Sequence, residues 1–461
     1  MSDHHNELGR RKFMRNVLLA GGAAGLGASG LGALSRLASG QDEEADERFY
    51  VFAYFSGGWD VLLGIDPRNP AVFNEENLGA TRIQPGYDHQ SEVRFQEAPA
   101  FAPGTEILLG PAARPLDALA DRLAIVRGMS MDTLTHEVGR RRFLTGKPPS
   151  GLQARGSSGS SWLAAQFGGR RLIPNLSVRV ESFNPELPPE ASALRVGSAS
   201  DMVELLRRQD PTMEEALDLA IADHHFEESS CARNLSSPIL RTSESARVRM
   251  RTVMEADVQS LFDFRTDEME PMRDRYGFGT NELSSSGAQA ALAYQALTNG
   301  VARVVTIEAA RGLDAHFDDW EDEHGPRQYE GFDAIARLAL HLQETPYRDT
   351  GESMLDRTVI CAFSEFMRTP LLNARGGRDH WLTNSCVLLG GNVAPGVIGA
   401  SSDIGMAPQL VDLATGRVTE DDVAGQIVYP EHIWRTLLVD AGLEEDRADL
   451  RVGPIPALLR T

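Results

Sequence analysis

Cysteine is scarce in this sequence. Its 461 residues include only Cys231, Cys361 and Cys386, an odd number spread widely along the chain. Cys361 and Cys386 lie in apolar, strand-like runs, where cysteine behaves as a small core residue. The sequence therefore supports neither a disulfide framework nor a metal site built from cysteine.

Positive charge is also in short supply. The chain has 45 Lys and Arg against 66 Asp and Glu, which gives a formal net charge of -21. This balance argues against nucleic acid or an anionic membrane surface as a partner, and it suits divalent cations. The 5 Trp are too scattered to support a carbohydrate-binding module.

A long apolar run that could span a membrane is missing as well. The basic pair Arg10-Arg11 precedes a Gly/Ala/Leu stretch at 17–34 that is only weakly apolar, and Arg36 interrupts the run. This pattern is typical of a targeting segment, with an N-terminal membrane anchor as the alternative. The arginine pair followed by Lys-Phe-Met-Arg resembles a twin-arginine export signal. We therefore predict an export signal at 1–40, a periplasmic or secreted location, and no transmembrane span in the mature chain.

Apolar runs and helical patterns alternate along the rest of the chain. The apolar runs lack strict alternation, which is typical of strands buried on both faces, and they lie at 49–55, 123–128, 172–180, 301–309, 358–366 and 385–391. The clearest helical patterns lie at 162–169, 287–300, 332–345 and 430–443. This order predicts an α/β fold with a doubly wound, mostly parallel sheet and helices on both faces.

Residues 45–461 are predicted to form this α/β domain, with one segment of different character. Residues 181–285 hold few strand patterns and are dominated by two long amphipathic patterns, at 201–225 and 243–276. We interpret 181–285 as a helical insertion or a cap on the α/β core.

Acidic and histidine side chains lie beside four of the predicted strands. They are Asp60 in GGWD, Asp314, His316 and Asp318 in DAHFD, Glu365 and Arg368 in SEFMR, and Asp379 and His380 in GGRDHW. Ligands bind at the carboxyl ends of the strands in open α/β sheets. Each motif alone has a plainer interpretation: Asp60 as a helix N-cap, Glu365 and Arg368 as a surface ion pair, and the others as polar turns.

The recurrence of these residues at one edge of the sheet is what favours a site. Clustered carboxylates repel one another unless a cation neutralises them. Asp and His without Cys suit Zn²⁺ or Mn²⁺, and two such ions are common in ester hydrolysis. The sequence therefore predicts a site for a divalent metal, with one or two ions.

The motifs SEFMRTP, GGRDHW and GGWD, with the Asp-x-His motif, resemble an exported, uncharacterised family related to sulfatases and alkaline phosphatases. Many members of that family carry twin-arginine signals, and the resemblance runs from about Phe49 to Ala441. It implies metal ligation by Asp60, by Asp314 with His316 at one metal, and by Asp379 with His380 at the other. The superfamily spaces its first pair more widely, so Asp318 is an alternative partner. The superfamily's last metal-binding His has no clear counterpart here. His432 is a candidate for it, but the favoured interpretation places His432 on a helix surface.

The nucleophile position departs from the pattern that the resemblance implies. In THEVGRRRFLTGKPP, counting back from Thr145 places His136 where that superfamily carries Ser, Thr or Cys. His136 is then a metal ligand or a nucleophile, or else the site has lost covalent turnover. The arginines that begin at Arg140 either hold an anionic group or form a solvated helix face.

Two functions remain open on the sequence. The first is an exported metal-dependent hydrolase that acts on a small sulfate or phosphate ester. The second is a non-catalytic protein of the same fold that binds a partner or assists assembly at the cell envelope. Bound metal and turnover of an aryl ester separate the two.

Overall fold

The structure, a computed structural model, describes residues 47–167, 171–207 and 257–460. The predicted export signal lies outside the described residues. So do most of the helix predicted at 201–225, the first part of the helix predicted at 243–276, and Cys231.

The core of the fold is an eight-stranded sheet. Its strands are β1 (Phe49–Phe55), β2 (Leu123–Ser130), β3 (Asn175–Val178), β4 (Leu194–Val196), β5 (Val304–Ala310), β6 (Thr358–Ser364), β7 (Thr383–Gly390) and β8 (Gly396–Ile398). Their order across the sheet is β8-β2-β7-β6-β1-β5-β3-β4. Neighbouring strands are parallel except at β7, which runs antiparallel to both β2 and β6. The predicted α/β fold with a large, mostly parallel sheet is confirmed.

Eight α-helices are present in the described part of the chain. They are α1 (Leu78–Thr81), α2 (His136–Thr145), α3 (Gly159–Phe167), α4 (Ala199–Leu206), α5 (Glu270–Tyr276), α6 (Ser286–Thr298), α7 (Gly325–Glu344) and α8 (Pro430–Asp440). The helices predicted at 162–169, 287–300, 332–345 and 430–443 correspond to α3, α6, α7 and α8. Helix α7 begins earlier than predicted, after a π-helix at Trp320–His324, with Pro326 in its first turn. Among the described helices, none has the length and apolar character that crossing a bilayer requires.

Alternate residues of β1 enter two separate core clusters. Val51 and Phe55 pack in a cluster that also takes in apolar side chains of α6 and α7. Phe52 packs in the other, with apolar side chains of α2, α3 and α8, and its ring lies 4.6 Å from that of Trp434. Both faces of the strand are therefore buried, which is why its sequence shows no alternation.

The ends of the segment 181–285 belong to the α/β core. Strand β4 lies within it and pairs with β3 at the sheet edge. Met202 of α4 and Phe262 are fully buried in the same cluster as Val51. Because β4 has only three residues, it is too short to show a period in the sequence. The insertion prediction is left with residues 208–256, which lie outside the described residues.

The direction of β7 decides which edge of the sheet carries the site. Asp314 follows β5 and Glu365 follows β6, so both lie at the carboxyl edge of the parallel strands. His380 precedes β7, and the amino end of an antiparallel strand lies at this same edge. A two-residue ladder pairs His380 with Arg368 and holds the loops before β7 and after β6 together.

Helix α2 begins at this edge and comes very close to the end of β6. A Cβ added at Gly139 would lie 2.4 Å from the backbone oxygen of Glu365. A side chain there would push the helix away from the strand, and His136 stands in the first turn of that helix.

We predict that Gly139→Ala lowers the free energy of unfolding by roughly 1–3 kcal/mol, because the added methyl group meets backbone that cannot rotate aside. Chemical denaturation of both proteins measures this difference. Gly79→Ala is the matched control, since a Cβ at Gly79 in α1 meets nothing within 4 Å. Equal effects of the two substitutions would show that the close approach at Gly139 is unimportant.

Candidate metal centre

Three histidines from three parts of the chain point one ring nitrogen each at the same carboxylate oxygen. The Nε2 atoms of His136, His316 and His380 lie 3.2, 3.1 and 3.3 Å from Oδ1 of Asp314. The Nε2 atoms of His316 and His380 are 2.9 Å apart. Within the described residues, ligand atoms of His136, Asp314 and His380 all lie within 4.8 Å of one another. These four side chains bring three imidazole nitrogens and one carboxylate to one place.

The other ring nitrogen of each histidine meets an acceptor. Nδ1 of His136 lies 2.8 Å from Oε1 of Glu365, and Nδ1 of His316 lies 2.7 Å from Oδ1 of Asp379. Nδ1 of His380 lies 2.6 Å from the carbonyl oxygen of Leu134. Since a carbonyl or a carboxylate only accepts, each Nδ1 carries the proton and each Nε2 is left facing the centre. Metal-ligating histidines have this arrangement.

Glu365 is buried and held from two sides. The Gly57 amide donates to its Oε1 at 2.9 Å, and the Ser364 hydroxyl donates to its Oε2 at 2.9 Å. Burial raises the pKa of the Glu365 carboxyl, but the hydrogen bond from His136 and the Ser364 contact bring that pKa below its usual value. Glu365 is therefore an anion that fixes the His136 ring.

His136 combines an elevated pKa with a buried, unsatisfied nitrogen. Burial lowers the pKa of the imidazole, but the hydrogen bond and charge of Glu365 outweigh it and raise the pKa above its usual value. The Nε2 atom is buried and makes no hydrogen bond of good geometry to the described residues. A nitrogen that is buried, unsatisfied and aimed at a carboxylate fits a ligand of a cation.

Asp314 is the half-exposed member of the cluster, with 49% of its side chain accessible. Burial raises the pKa of its carboxyl, but the hydrogen bond and charge of Arg368 outweigh it and hold the pKa below the usual range. Asp314 is therefore ionised at neutral pH. Its exposure leaves the centre open to solvent on one side, as catalytic metal sites are.

The structure separates the adjacent pair Asp379 and His380. His380 faces the centre, whereas Asp379 lies behind His316. The Asp379 carboxylate accepts a further hydrogen bond from Asn373, and the Asp379 backbone amide donates one to the Thr369 hydroxyl. Neighbouring residues of an extended segment point to opposite sides, so one motif supplies a ligand and an outer partner. Direct ligation by Asp379, which the sequence predicts, is not what its contacts favour.

Asp60 is not brought to the three imidazoles. Its Oδ1 accepts from the amides of Leu62 and Leu63, as a capping side chain does. Its Oδ2 accepts from the Trp320 indole at 2.9 Å and pairs with Arg378 at 2.9 Å. Both oxygens are thus engaged and buried, and these contacts favour the capping interpretation over ligation.

The basic run on α2 is engaged in ion pairs and is not a solvated face. Arg140 and Arg141 both pair with Glu181, at 2.9 and 3.0 Å, and Arg142 pairs with Glu431 at 3.2 Å. Arg140 stands one turn after His136 on α2, and its Nε donates to Glu181.

Two further predicted residues lie apart from the cluster. Asp318 is exposed to solvent in the loop that follows β5. His432 is not on a helix surface: it is only 2% exposed, its Nδ1 accepts from the Tyr429 amide at the start of α8, and burial lowers its pKa to about 4. The surface interpretation of His432 is wrong because the first turn of α8 packs inward.

The contacts that sequence reasoning missed are made by backbone atoms. The Leu134 carbonyl orients His380, and the Gly57 amide holds Glu365. A backbone atom carries no residue signature. The glycine turn after β1 was the one visible sign that the chain there approaches another element closely.

Buried His324 beside Asp60 yields a pH-dependent prediction. Its Nε2 accepts from the Asp60 amide at 3.0 Å, and burial lowers its pKa from 6.5 to about 4. As the pH falls below 6.5 the unfolded chain binds this proton first. We therefore expect the free energy of unfolding to decrease from pH 6.5 toward pH 4, by up to about 3 kcal/mol from this residue.

Denaturant unfolding between pH 4 and 8 measures this loss. His324→Gln keeps an acceptor for the Asp60 amide but takes up no proton, so its stability should depend less steeply on pH over this interval. Identical slopes for the variant and the parent protein would mean that His324 is not the neutral, buried group described here.

Two solved structures are similar to this chain over most of its length. One is BT4656 in complex with its substrate D-glucosamine-2-N,6-O-disulfate. The alignment covers 90% of this chain and 80% of that one, at 10% sequence identity and a TM-score of 0.34. Another is the phosphonate monoester hydrolase of Agrobacterium radiobacter, at 14% identity and a TM-score of 0.30, covering 89% of this chain and 77% of that one. No curated protein matches the sequence.

The family comparison is extensive. A family model described as protein of unknown function, DUF1501, matches residues 54–421, which include every side chain of the cluster and its outer partners. The chain therefore belongs to the DUF1501 family.

Proposed function

We propose that this protein is an exported, metal-dependent hydrolase of a sulfate or phosphate ester. The observation that carries the proposal is the common arrangement of His136, His316 and His380, each with an acceptor on Nδ1 and with Nε2 directed at Asp314. The location of the cluster supports it, because ligands of doubly wound α/β sheets bind at the carboxyl edge of the strands.

The donor set fits a divalent transition metal. Zn²⁺ is held by imidazole nitrogens and carboxylates, commonly four ligands in a tetrahedron, and Mn²⁺ accepts the same groups. His136, Asp314, His316 and His380 would hold the ion. In this proposal His136 is a ligand and not a nucleophile, because its Nε2 shares Asp314 with two other imidazoles.

The chain's own residues prepare the centre for an anionic ester. A divalent ion bound there supplies a Lewis acid for the phosphoryl or sulfuryl group. Glu365 and Asp379 hold two of the imidazoles in orientation, and outer partners of this kind also raise ligand basicity. The open side of Asp314 is where the ester would enter, and the Arg368 guanidinium pairs with this carboxylate from the buried side.

Metal binding tests the assignment. We expect the purified protein, stripped with a chelator, to bind Zn²⁺ or Mn²⁺ in calorimetry, and His380→Ala to lose more than about 100-fold in affinity as a direct ligand is removed. Glu365→Gln should lose about 10- to 100-fold, because it weakens the orientation of His136 without removing a ligand. His89→Ala, at an exposed histidine, is the control and should bind as the parent does.

Turnover of aryl sulfate and aryl phosphate by the same proteins completes the test. Absence of metal from the parent protein would refute the proposal. Metal bound without turnover of either ester would favour the alternative of a non-catalytic binding or assembly protein of the cell envelope.

Export is part of the proposal. The arginine pair at the start of a weakly apolar segment supports a twin-arginine route, which leaves the folded domain in the periplasm or outside the cell. Replacing both Arg10 and Arg11 with Lys should keep the tagged full-length chain in the cytoplasm, as judged by cell fractionation. Equal export of both chains would contradict the route.

A further inference from the structure

The guanidinium of Arg368 is buried against the cluster, and each of its N–H groups faces an acceptor. Its side chain has no exposed surface. Nε donates to the Gly58 carbonyl at 3.0 Å and Nη1 to the Arg378 carbonyl at 3.0 Å. Nη2 donates to the Gly57 carbonyl and, at 2.5 Å, to Asp314. One N–H of Nη1 remains, and it faces Nε2 of His316 at 3.4 Å.

Arg368 therefore places a permanent positive charge on the inner side of Asp314. A second metal ion would need carboxylate oxygens there, and the acids nearby already have partners. Glu365 is held by His136, Gly57 and Ser364, and Asp60 is closed off by Trp320 and Arg378. Asp379 is engaged by His316.

We propose, resting on the function proposed above, that Arg368 takes the place of a second metal ion. The centre then holds one divalent ion, and loading of that ion frees one N–H of Arg368 for the anionic group of the substrate.

His316 links the binding of the ion to the release of this N–H of Arg368. Coordination of an ion uses the lone pair of His316 Nε2, so the N–H of Arg368 that faces this nitrogen loses its acceptor. A buried N–H without a partner is costly, and a charged one more so. An oxygen of a phosphoryl or sulfuryl group bound at the centre would restore the hydrogen bond of Arg368, and a guanidinium suits such groups. The site should accordingly favour anionic esters over neutral carboxylic esters, whose acyl group carries no charge.

Metal stoichiometry is the first test and needs no variant. Metal-free protein is titrated with Zn²⁺ by calorimetry, and bound metal is counted by mass spectrometry after gel filtration. One ion per chain is expected, and two ions per chain would overturn the inference while leaving a metal-dependent hydrolase intact. No ion at all would instead defeat the function on which the inference rests.

Anion affinity is the second test. Inorganic phosphate is titrated into the Zn²⁺-loaded parent protein and into loaded Arg368→Lys, which keeps the charge but loses the planar fork. We expect phosphate affinity to fall about tenfold or more while Zn²⁺ stoichiometry stays at one, the loss expected for one charge-assisted hydrogen bond. Arg375→Gln is the control, since Arg375 is exposed and lies 3.8 Å from Asp379, outside the cluster.

Equal phosphate affinity in the loaded parent and Arg368→Lys would overturn the role of Arg368. If that variant does not fold, hydrolysis by the loaded parent decides the matter. Turnover of aryl phosphate or aryl sulfate with no turnover of a matched aryl acetate supports the inference, and preference for the acetate contradicts it.

Discussion

The antiparallel direction of β7 is the constraint on which the site depends. In a wholly parallel sheet the residues before a strand lie at the edge opposite to the residues after its neighbours. Because β7 is reversed between β2 and β6, His380 arrives at the edge where β5 delivers His316 and β6 delivers Glu365. The two-residue ladder that pairs His380 with Arg368 then holds His380 in position beside the end of β6.

Electrostatic balance explains why so many ionisable groups can share this edge. Burial raises the pKa values of two acids, Asp314 and Glu365, but hydrogen bonds from Arg368 and His136, respectively, outweigh burial and hold both values below their usual ranges. Burial and the charges of Arg368 and His136 also lower the pKa of His380, but for an imidazole a lower pKa favours the neutral form. A neutral imidazole next to an ionised carboxylate is what a divalent ion requires of its ligands. The charges of the cluster are therefore those that the proposed divalent ion would need.

Most of the main strands and several residues of the cluster could be predicted from the sequence. The features that could not be predicted were missed for physical reasons. Apolar runs located most of the main strands, and the rule of strand ends located Asp314, His316 and His380. Side-chain direction is not encoded in a motif, so the sequence predicts Asp60 and Asp379 as ligands, whereas the contacts of their oxygens favour other roles. The three residues of β4 are too few to show a period. The hydrogen bond between His380 and the Leu134 carbonyl could not be predicted from the sequence, because every residue has a backbone carbonyl.

Two neighbouring arginine–aspartate pairs differ in their exposure to solvent, and this difference bears on which aspartate an ion could reach. Arg378 pairs with Asp60, and Arg368 pairs with Asp314, so two arginine–carboxylate pairs lie side by side at the same edge. The side chain of Asp60 is 2% exposed and that of Asp314 is 49% exposed. Breaking a closed, buried pair leaves an uncompensated charge, so an ion cannot recruit Asp60 without a large cost. At Asp314 the exposed face would admit the proposed ion while Arg368 keeps its other hydrogen bonds. Exposure, more than residue type, therefore decides which of the two aspartates is available for chemistry.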